Sequence, residues 1–355
     1  MSSPAAIPET ARWKSYQLLL LARLKEMYRE PEVIFWVFIF PILLALGLGI
    51  AFRNKPADVC RVAVVAGPEA AQAMELLRTA AGAVRAEILP APEAFNQFRL
   101  GKYDLVVTPR AGGFEYLYDP ARPESVLARS VTDDALQAAA GRKNSVPSSA
   151  RVSSEPGARY IDFLIPGLLG MNLMNSGMWG IGFALVDLRQ RKLLKRYVAS
   201  PMRRSDFLLA LASSRLVLML IELVLLLGFG ILVFHLRVTG SWVSILVISA
   251  LGALCFGGVG LLAASRAQKI ETVSGLINLV MMPMWILSGV FFSYERFPAL
   301  LHPLIKALPL TALNDALRAA ILEGAPLAHQ SARLLVLGLW GVISYLLALR
   351  WFRWT

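Results

Sequence analysis

The chain has 355 residues, of which 56% are hydrophobic and 17% are charged. Ordinary soluble domains have about 45–50% apolar and about 25% charged residues, so this composition excludes a disordered chain, a fibrous repeat and a single soluble domain. Two cysteines, Cys60 and Cys255, are too few for a disulfide framework. The formal net charge of +12 does not indicate a nucleic-acid partner, because every second loop between the apolar runs is the richer in basic residues.

Six apolar runs predict six transmembrane helices. About 20 helical residues cross the hydrocarbon layer of a bilayer, which is about 30 Å thick. The first run is too long for the core of a signal peptide, so we expect it to remain in the mature protein. The sixth run is short but extends back to Leu327 if Arg333 snorkels to the interface. The runs cover residues 33–52, 163–186, 207–236, 242–265, 272–294 and 334–349.

Basic charge alternates between successive loops. Residues 1–32 carry five Lys and Arg residues and loop 187–205 carries seven, whereas the loop after the third run has Arg237 alone. The positive-inside rule therefore predicts cytoplasmic N- and C-termini in a multi-pass protein of a cell membrane, with a bacterial inner or plasma membrane expected. Residues 57–158 then lie outside, and a translocated segment of this length escapes the rule.

Residues 1–31 predict a cytoplasmic amphipathic helix in the membrane interface. Apolar residues recur at spacings of three and four, with basic residues on another side. The apolar positions are Trp13, Tyr16, Leu20, Leu24 and Met27. Pro31 ends the helix and leads into the first transmembrane helix, residues 32–56. A helix packed on the protein itself is the alternative.

The external segment 57–158 predicts a small α/β domain with a linker at 142–158. Its strands alternate with helices, which favours a partly parallel sheet. The predicted strands are 61–65, 84–89, 103–108 and 114–118, and the predicted helices are 68–81, 92–100 and 121–141. The fold class is thus an all-α polytopic membrane protein with an inserted extracytoplasmic α/β domain, and residues 159–355 hold the other five transmembrane helices.

Motifs for catalysis are missing from the sequence. It has no Gly-x-x-x-x-Gly-Lys-Ser/Thr phosphate loop, no His-Glu-x-x-His or Cys-x-x-Cys zinc motif and no Gly-x-Ser-x-Gly nucleophile elbow. The adjacent acidic residues Asp133 and Asp134 are interpreted as a solvated helix face. We therefore expect no catalytic residue, no metal and no cofactor bound by this chain.

The cytoplasmic loop 187–205 predicts a short amphipathic helix that Pro201 ends. Its apolar stripe consists of Leu193, Leu194, Tyr197 and Val198, and basic residues surround the stripe. Such a helix either rests on anionic lipid or docks in a groove of a cytoplasmic partner.

This loop resembles the coupling helix in the permease subunits of type-2 ATP-binding-cassette (ABC) exporters. The family pattern Leu-Leu-Lys-Arg-x-x-Ala-Ser/Thr-Pro-Met, followed by a Phe-Leu-Leu helix start, occurs here in residues 193–196, 199–202 and 205–209. Where the family often has glycine before the leucines, this chain has Lys192. Residues 162–167 (Asp-Phe-Leu-Ile-Pro-Gly) also open the second span as in that family.

Residues 287–324 resemble the family signature between the last two spans. The matching positions are Leu-Ser-Gly-Val-Phe-Phe at 287–292, Pro298, Leu-Pro-Leu-Thr at 308–311, Asp315, Leu317, Arg318 and Gly324. The resemblance covers nearly the whole chain and matches the subgroup with an external domain after the first span.

The resemblance implies a permease that works as a homodimer or as one of two paired permeases in the lipid membrane. Separate ATPase subunits would bind ATP and Mg, and they would contact Leu193, Leu194, Tyr197, Val198 and Pro201. The implied activity is export of an amphiphilic or hydrophobic molecule such as a drug, a lipid or a secondary metabolite. The external domain is a gate, a partner-binding platform or a spacer.

Residues 298–324 predict two helical pieces, 298–308 and 311–322, which break at Pro309 and end at Gly324. Neither piece is long enough to cross a bilayer. Asp315 and Arg318 are three residues apart and can pair along the helix. The family resemblance favours a re-entrant hairpin that closes the outer end of the pathway, so Arg318→Ala should impair export far more than folding. An external surface helix is the alternative.

Two other functions stay open. A secondary transporter normally carries ionisable residues within its spans, and Arg215 and Glu222 lie seven residues apart in the third run. Such residues face the interior of a helix bundle by default. For Glu222, a structural hydrogen bond between helices is the preferred interpretation over a contact with substrate. The second alternative is a membrane-anchored binding or scaffold protein that acts through its external domain.

Overall fold

The computed structural model describes residues 9–52, 59–79, 83–110, 112–142, 159–199 and 204–352. The chain forms two compact units: Met1–Arg53 together with Ser154–Thr355, and Asn54–Ser153. The second unit is therefore an insertion within the first. The larger unit begins with helices α1 (Glu9–Arg29), α2 (Pro31–Ile34) and α3 (Phe40–Ala51), and a π-helical segment, Phe35–Ile39, joins α2 to α3.

The described part of the inserted unit forms a four-stranded sheet with three helices. In chain order it contains β1 (Cys60–Val65), α4 (Ala70–Thr79), β2 (Val84–Leu89), α5 (Ala91–Arg99), β3 (Leu105–Arg110), β4 (Gly113–Leu117) and α6 (Pro123–Ala139). The strand order is β2-β1-β3-β4. The β1 strand pairs in parallel with β2 and β3, and β3 pairs antiparallel with β4. Each predicted strand and helix overlaps an observed one, and the sheet is partly parallel as expected.

Alternate residues of β1 enter two separate cores, as the period of two in a strand requires. Val62 and Val64 pack with α4 and α6 on one face of the sheet. Ala63 and Val65 pack with α5 on the other face. The predicted linker, residues 142–158, lies mostly outside the described residues.

Within its described residues, the larger unit continues with eight α-helices. They are α7 (Tyr160–Gln190), α8 (Leu193–Ala199), α9 (Arg204–Phe234), α10 (Trp242–Ala264), α11 (Ile270–Leu287), α12 (His302–Lys306), α13 (Pro309–Ile321) and α14 (Ser331–Trp351). The 31-residue α7 is the most enclosed of the long helices, since it packs against α3, α9, α10, α11 and α13. Its apolar side chains form one continuous core with those of its neighbours.

Helix α1 packs on α9. The hydroxyl of Tyr16 donates a hydrogen bond to the Ser213 hydroxyl at 2.7 Å. Tyr16 belongs to the apolar stripe predicted to enter lipid. At this residue the contact instead fits the alternative prediction, in which the helix packs on the protein itself. The exposed apolar residues of α1 include Leu18 and Leu21. The side chains of Trp13 and Met27 lie outside the described residues.

A proline and an asparagine connect the first helical segment to α7. Pro41 has no amide N–H to donate to the Val37 carbonyl four residues earlier. The side-chain amide of Asn172 on α7 donates to that carbonyl at 2.9 Å instead. An apolar environment penalises an unpaired carbonyl, so this contact satisfies a group that the π-helical segment and Pro41 leave available.

Four helices among the described residues are long and apolar enough to cross a membrane: Leu209–Phe234, Trp242–Ala264, Ile270–Leu287 and Leu327–Trp351. The first predicted span corresponds to a shorter apolar helix, Phe35–Ala51. The second corresponds to α7, whose length is sufficient but whose asparagines and glycines lower its hydropathy. Because α7 is enclosed by other helices, few of its side chains need to be compatible with lipid. The structure describes a multi-pass helical membrane protein, and the count of six remains a prediction.

Candidate functional site

Helix α13 is short and almost completely enclosed by protein. It has 13 residues, and every residue except Asp315 is buried. A surface helix would expose one polar face, whereas a helix buried all round belongs to an interior. The expected alternative of a surface helix is therefore wrong for this segment. The helix begins at Pro309, two residues before the predicted start, because proline is suited to the first turn of a helix.

The preceding segment differs from the predicted helix at 298–308. It contains two short 3₁₀ turns, Tyr294–Arg296 and Ala299–Leu301, followed by the five-residue α12. Pro298 and Pro303 interrupt hydrogen bonding there, because neither residue has an N–H to donate. Gly324, the predicted end of the second helical piece, has a φ of +69°, a conformation that favours glycine, and the re-entrant hairpin itself stays a prediction.

Arg318 connects α13 to two other segments. Its guanidinium lies over the Phe163 ring, with 3.7 Å from Cζ to the ring centroid. It also donates to the carbonyl of Phe163 at 3.3 Å and to the carbonyl of Gly289. The predicted pair with Asp315 is present at 3.8 Å. One side chain thus links the start of α7, the turn after α11 and α13.

Other polar contacts join α13 to the segment after α11 and to α14. The Tyr294 hydroxyl donates to the Asp315 carboxylate at 3.1 Å, and Arg333 donates to the main-chain carbonyl of Asp315 at 3.2 Å. The Asn314 side chain donates to the carbonyl of Ser288 at 2.9 Å. Buried backbone carbonyls of a non-helical turn need such partners, because an unpaired buried carbonyl is costly.

Glycines of α7 allow the close approach of α13. A Cβ atom at Gly167 would lie 2.5 Å from the Val290 carbonyl oxygen and 2.9 Å from the Arg318 guanidinium. A Cβ atom at Gly170 would collide with the Asn314 amide oxygen. Both glycines are required by space rather than by backbone conformation.

A second polar cluster lies between α7 and α9. Arg215 and Glu222 of α9 are buried, as is Ser176 of α7. The Arg215 guanidinium donates to the carbonyl of Ser176, and the Ser176 hydroxyl donates to the Glu222 carboxylate at 3.2 Å. The Arg215 guanidinium lies against Gly180, where any side chain would collide with it. The two ionisable residues thus face the bundle interior, and Glu222 forms an interhelical hydrogen bond.

The candidate coupling helix α8 has a buried anchor. Leu194 is 1% exposed and belongs to the core of the larger unit, and Leu193 packs partly against that core. The chain itself covers Leu194 in this structure, and a contact of Leu194 with an ATPase partner stays a prediction. Lys195 and Arg196 are exposed. The side chains of Tyr197 and Val198, and Pro201, lie outside the described residues.

Lys192 adopts a glycine-like conformation between α7 and α8. Its φ is +57°, and its N–H donates to the carbonyl of Arg189 at 3.0 Å. A left-handed residue at this position ends a helix and turns the chain, a role usually filled by glycine. The chain thus turns at a lysine in the position where the resembled family often has glycine.

The structure also identifies residues that the sequence does not predict. Asn172, Asn314, Tyr294 and Phe163 make the polar contacts described above, and each lies inside an apolar or aromatic pattern that by itself reads as packing. A proline in an apolar run leaves a carbonyl to be satisfied, so Pro41 was the available signal for a partner such as Asn172.

Comparisons with known proteins indicate the same transporter family as the motifs in the sequence. A family model described as ABC-2 family transporter protein matches residues 31–350. ABC transporter G family member 20 of Dictyostelium discoideum is 26% identical over 205 residues, which cover 56% of this chain and 26% of that protein. Nodulation protein J of Rhizobium meliloti (strain 1021) is 29% identical over 124 residues, which cover 34% of this chain and 47% of that protein. The chain thus matches less than half of the length of either relative.

Proposed function

Because the chain belongs to the ABC-2 transporter family, as a membrane component of an ABC transporter, we propose that it is the permease subunit of an ATP-driven exporter. In this proposal, separate ATPase subunits bind ATP and Mg and supply the energy. The phosphate-binding motif Gly-x-x-x-x-Gly-Lys-Ser/Thr is absent from the sequence. In an ATP-driven transporter, a subunit without this motif receives the energy of hydrolysis from a partner.

The enclosed α13 helix carries the proposal that this chain forms a gated pathway. A helix of 13 residues reaches only part of the way across a bilayer, because it is about 20 Å long. In a membrane protein, an irregular turn such as 288–292 is tolerated at depth only inside protein or beside a water-filled cavity. Pro309, Asp315 and Arg318 accordingly belong to a re-entrant hairpin that closes the outer end of the pathway.

The proposed arrangement has six spans, cytoplasmic termini and the inserted α/β unit outside. Topology is best tested with a membrane-impermeant thiol reagent on intact cells. The natural cysteines, Cys60 and Cys255, are both buried, and Ser125 is buried as well, so these positions are poor reporters. Ser130 and Lys195 are exposed. We expect labelling of Ser130→Cys and protection of Lys195→Cys, and the reverse pattern would contradict the orientation.

The coupling to the ATPase is proposed to involve the exposed basic side of α8. Leu194 anchors the helix in the chain's own core, which leaves Lys195 and Arg196 accessible to a partner. Charge reversal at both positions, Lys195→Glu with Arg196→Glu, should release the ATPase subunit without unfolding the permease. Leu194→Asp serves as the contrast, since it should reduce the amount of folded protein.

The substrate class is proposed to be amphiphilic or hydrophobic, and two permeases, identical or different, would together provide twelve spans. Co-purification is the decisive experiment for the function. A stable complex with an ABC ATPase subunit, with ATP hydrolysis stimulated in lipid, supports the permease over a secondary transporter or a membrane-anchored scaffold. Substrate movement that persists without any ATPase and follows an ion gradient would instead indicate a secondary transporter.

A further inference from the structure

Arg189 lies in the last turn of α7, four residues before α8 begins at Leu193. Its guanidinium donates to the carbonyl of Ala264 at 3.0 Å and to the carbonyl of Ala267, and it lies 3.5 Å from the carbonyl of Ser265. These carbonyls belong to the end of α10 and to the turn that follows it. The last carbonyls of a helix lack intrahelical partners and carry the negative end of the helix dipole, so a guanidinium binds them favourably.

The same side chain also contacts the end of the last helix. Its Cζ atom lies 5.5 Å from the centre of the Phe352 ring, directly after α14. A cation over an aromatic ring adds a further attractive contact. One half-buried arginine therefore joins the ends of α7, α10 and α14, and the turn that it holds leads into α11 at Ile270.

The link from Arg189 to α8 is short and constrained. Only residues 190–192 separate them, and Lys192 forms a tight left-handed turn with its N–H bonded to the Arg189 carbonyl. At the far side of this turn, Leu194 is buried in the core. Residues 190–192 are too short and too constrained to absorb a displacement of α8. We therefore expect such a displacement to move the Arg189 guanidinium.

We propose that Arg189 is a positioning residue that transmits displacement of α8 to the α10–α11 turn, and thereby to two transmembrane helices. This inference rests on the proposed function, in which an ATPase moves α8. Hydrogen bonds from a charged, forked group to several carbonyls hold direction as well as distance. Such a contact connects rigid elements, as mechanical coupling between two sites requires.

The exposed neighbour Arg266 provides a matched control. It lies in the same turn and carries the same charge, and its Cζ atom lies 5.9 Å from the Trp351 ring. Arg266→Gln therefore removes a positive charge beside the same helix end and leaves the Arg189 contacts in place. Arg189→Lys keeps the charge but cannot reproduce the fork.

The first measurement needs only the permease in lipid nanodiscs. Spin labels on the exposed residues Lys195 and Gln268 report the distance between α8 and the α10–α11 turn. We expect one narrow distance for the otherwise native chain and for Arg266→Gln, a broad distribution for Arg189→Gln, and an intermediate one for Arg189→Lys. An unchanged narrow distance in Arg189→Gln would overturn the proposal.

The second measurement uses the complex with the co-purified ATPase. Labels on Gln268 and on the exposed Gln17 of α1 should change their separation when ATP, Mg and vanadate trap the complex. Arg189→Gln should lose this change while the amount of complex and its ATP hydrolysis are retained, which a purely structural role would not produce. A change of native size in Arg189→Gln would overturn the inference. If no ATPase binds the native chain, the proposed function fails, whereas the first measurement still tests the contact.

Discussion

Replacement of Arg318 by alanine tests the interior position of α13 most directly. The Arg318 side chain is 11% exposed and contacts the Phe163 ring, two carbonyls and the Asp315 carboxylate. Arg318→Ala removes all these contacts, so the Asp315 carboxylate keeps its hydrogen bond from Tyr294 but loses its counter-charge. Removing one partner of a buried ion pair costs about 3–5 kcal/mol. The same side chain also makes the cation–π contact, and the energies of contacts that share a group do not add fully, so we keep this range for the total loss.

We therefore expect Arg318→Ala to lower the free energy of unfolding by about 3–5 kcal/mol, measured as thermal stability and as the yield of assembled protein in lipid. This differs from the expectation from sequence, in which export suffers far more than folding. The physical reason is that a pair at spacing i,i+3 in water is worth only a few tenths of a kcal/mol, whereas this pair is enclosed.

The control is the exposed Arg296 in the preceding turn. Arg296→Ala should change stability by no more than about 0.5 kcal/mol, as is usual for surface substitutions. Arg318→Lys keeps a charge near Asp315 and should lose less stability than Arg318→Ala. If Arg318→Ala were as stable as Arg296→Ala, the reasoning from burial would be refuted, and α13 would have to be accessible to water.

Three further changes have definite expected results. Lys192→Gly should raise the free energy of unfolding by about 1 kcal/mol. A non-glycine residue in the left-handed region costs about 1–2 kcal/mol, and the greater backbone entropy that glycine loses on folding offsets part of this gain. An unchanged melting temperature in lipid would argue against the strained turn. Gly170→Val should prevent assembly of the hairpin, measured as protein yield, because its side chain would occupy the space of the Asn314 amide. Partial desolvation, then the nearby carboxylates of Glu26 and Asp187, raise the pKa of the exposed Glu30 carboxyl. Folding therefore favours the protonated acid, and the free energy of unfolding falls as pH rises through the raised pKa. Glu30→Gln should flatten that decline in a pH series of melting temperatures, and an identical pH profile would exclude the effect.

Local patterns in the sequence predicted much of this protein. Long apolar runs identify a multi-pass membrane protein, since no soluble fold requires several of them. The family was also predictable, because residues 193–202 and 287–324 carry spaced motifs that can be recognised in a single sequence. The match to the family model confirms it. The strands of the inserted unit follow from short apolar segments between turn residues, as at 61–65 and 84–89.

Only the tertiary structure decided which side chains are available to partners and which are enclosed. Leu194 lies on an amphipathic stripe that is equally compatible with a docking surface and with the core, and packing against α7 places it in the core. Arg318 meets a carbonyl 155 residues away, and Asn172 meets one 135 residues away. Periodicity reports on neighbours within a turn or two of one element. Contacts between distant segments depend on how the helices assemble, so burial and hydrogen bonding at the candidate site required the folded chain.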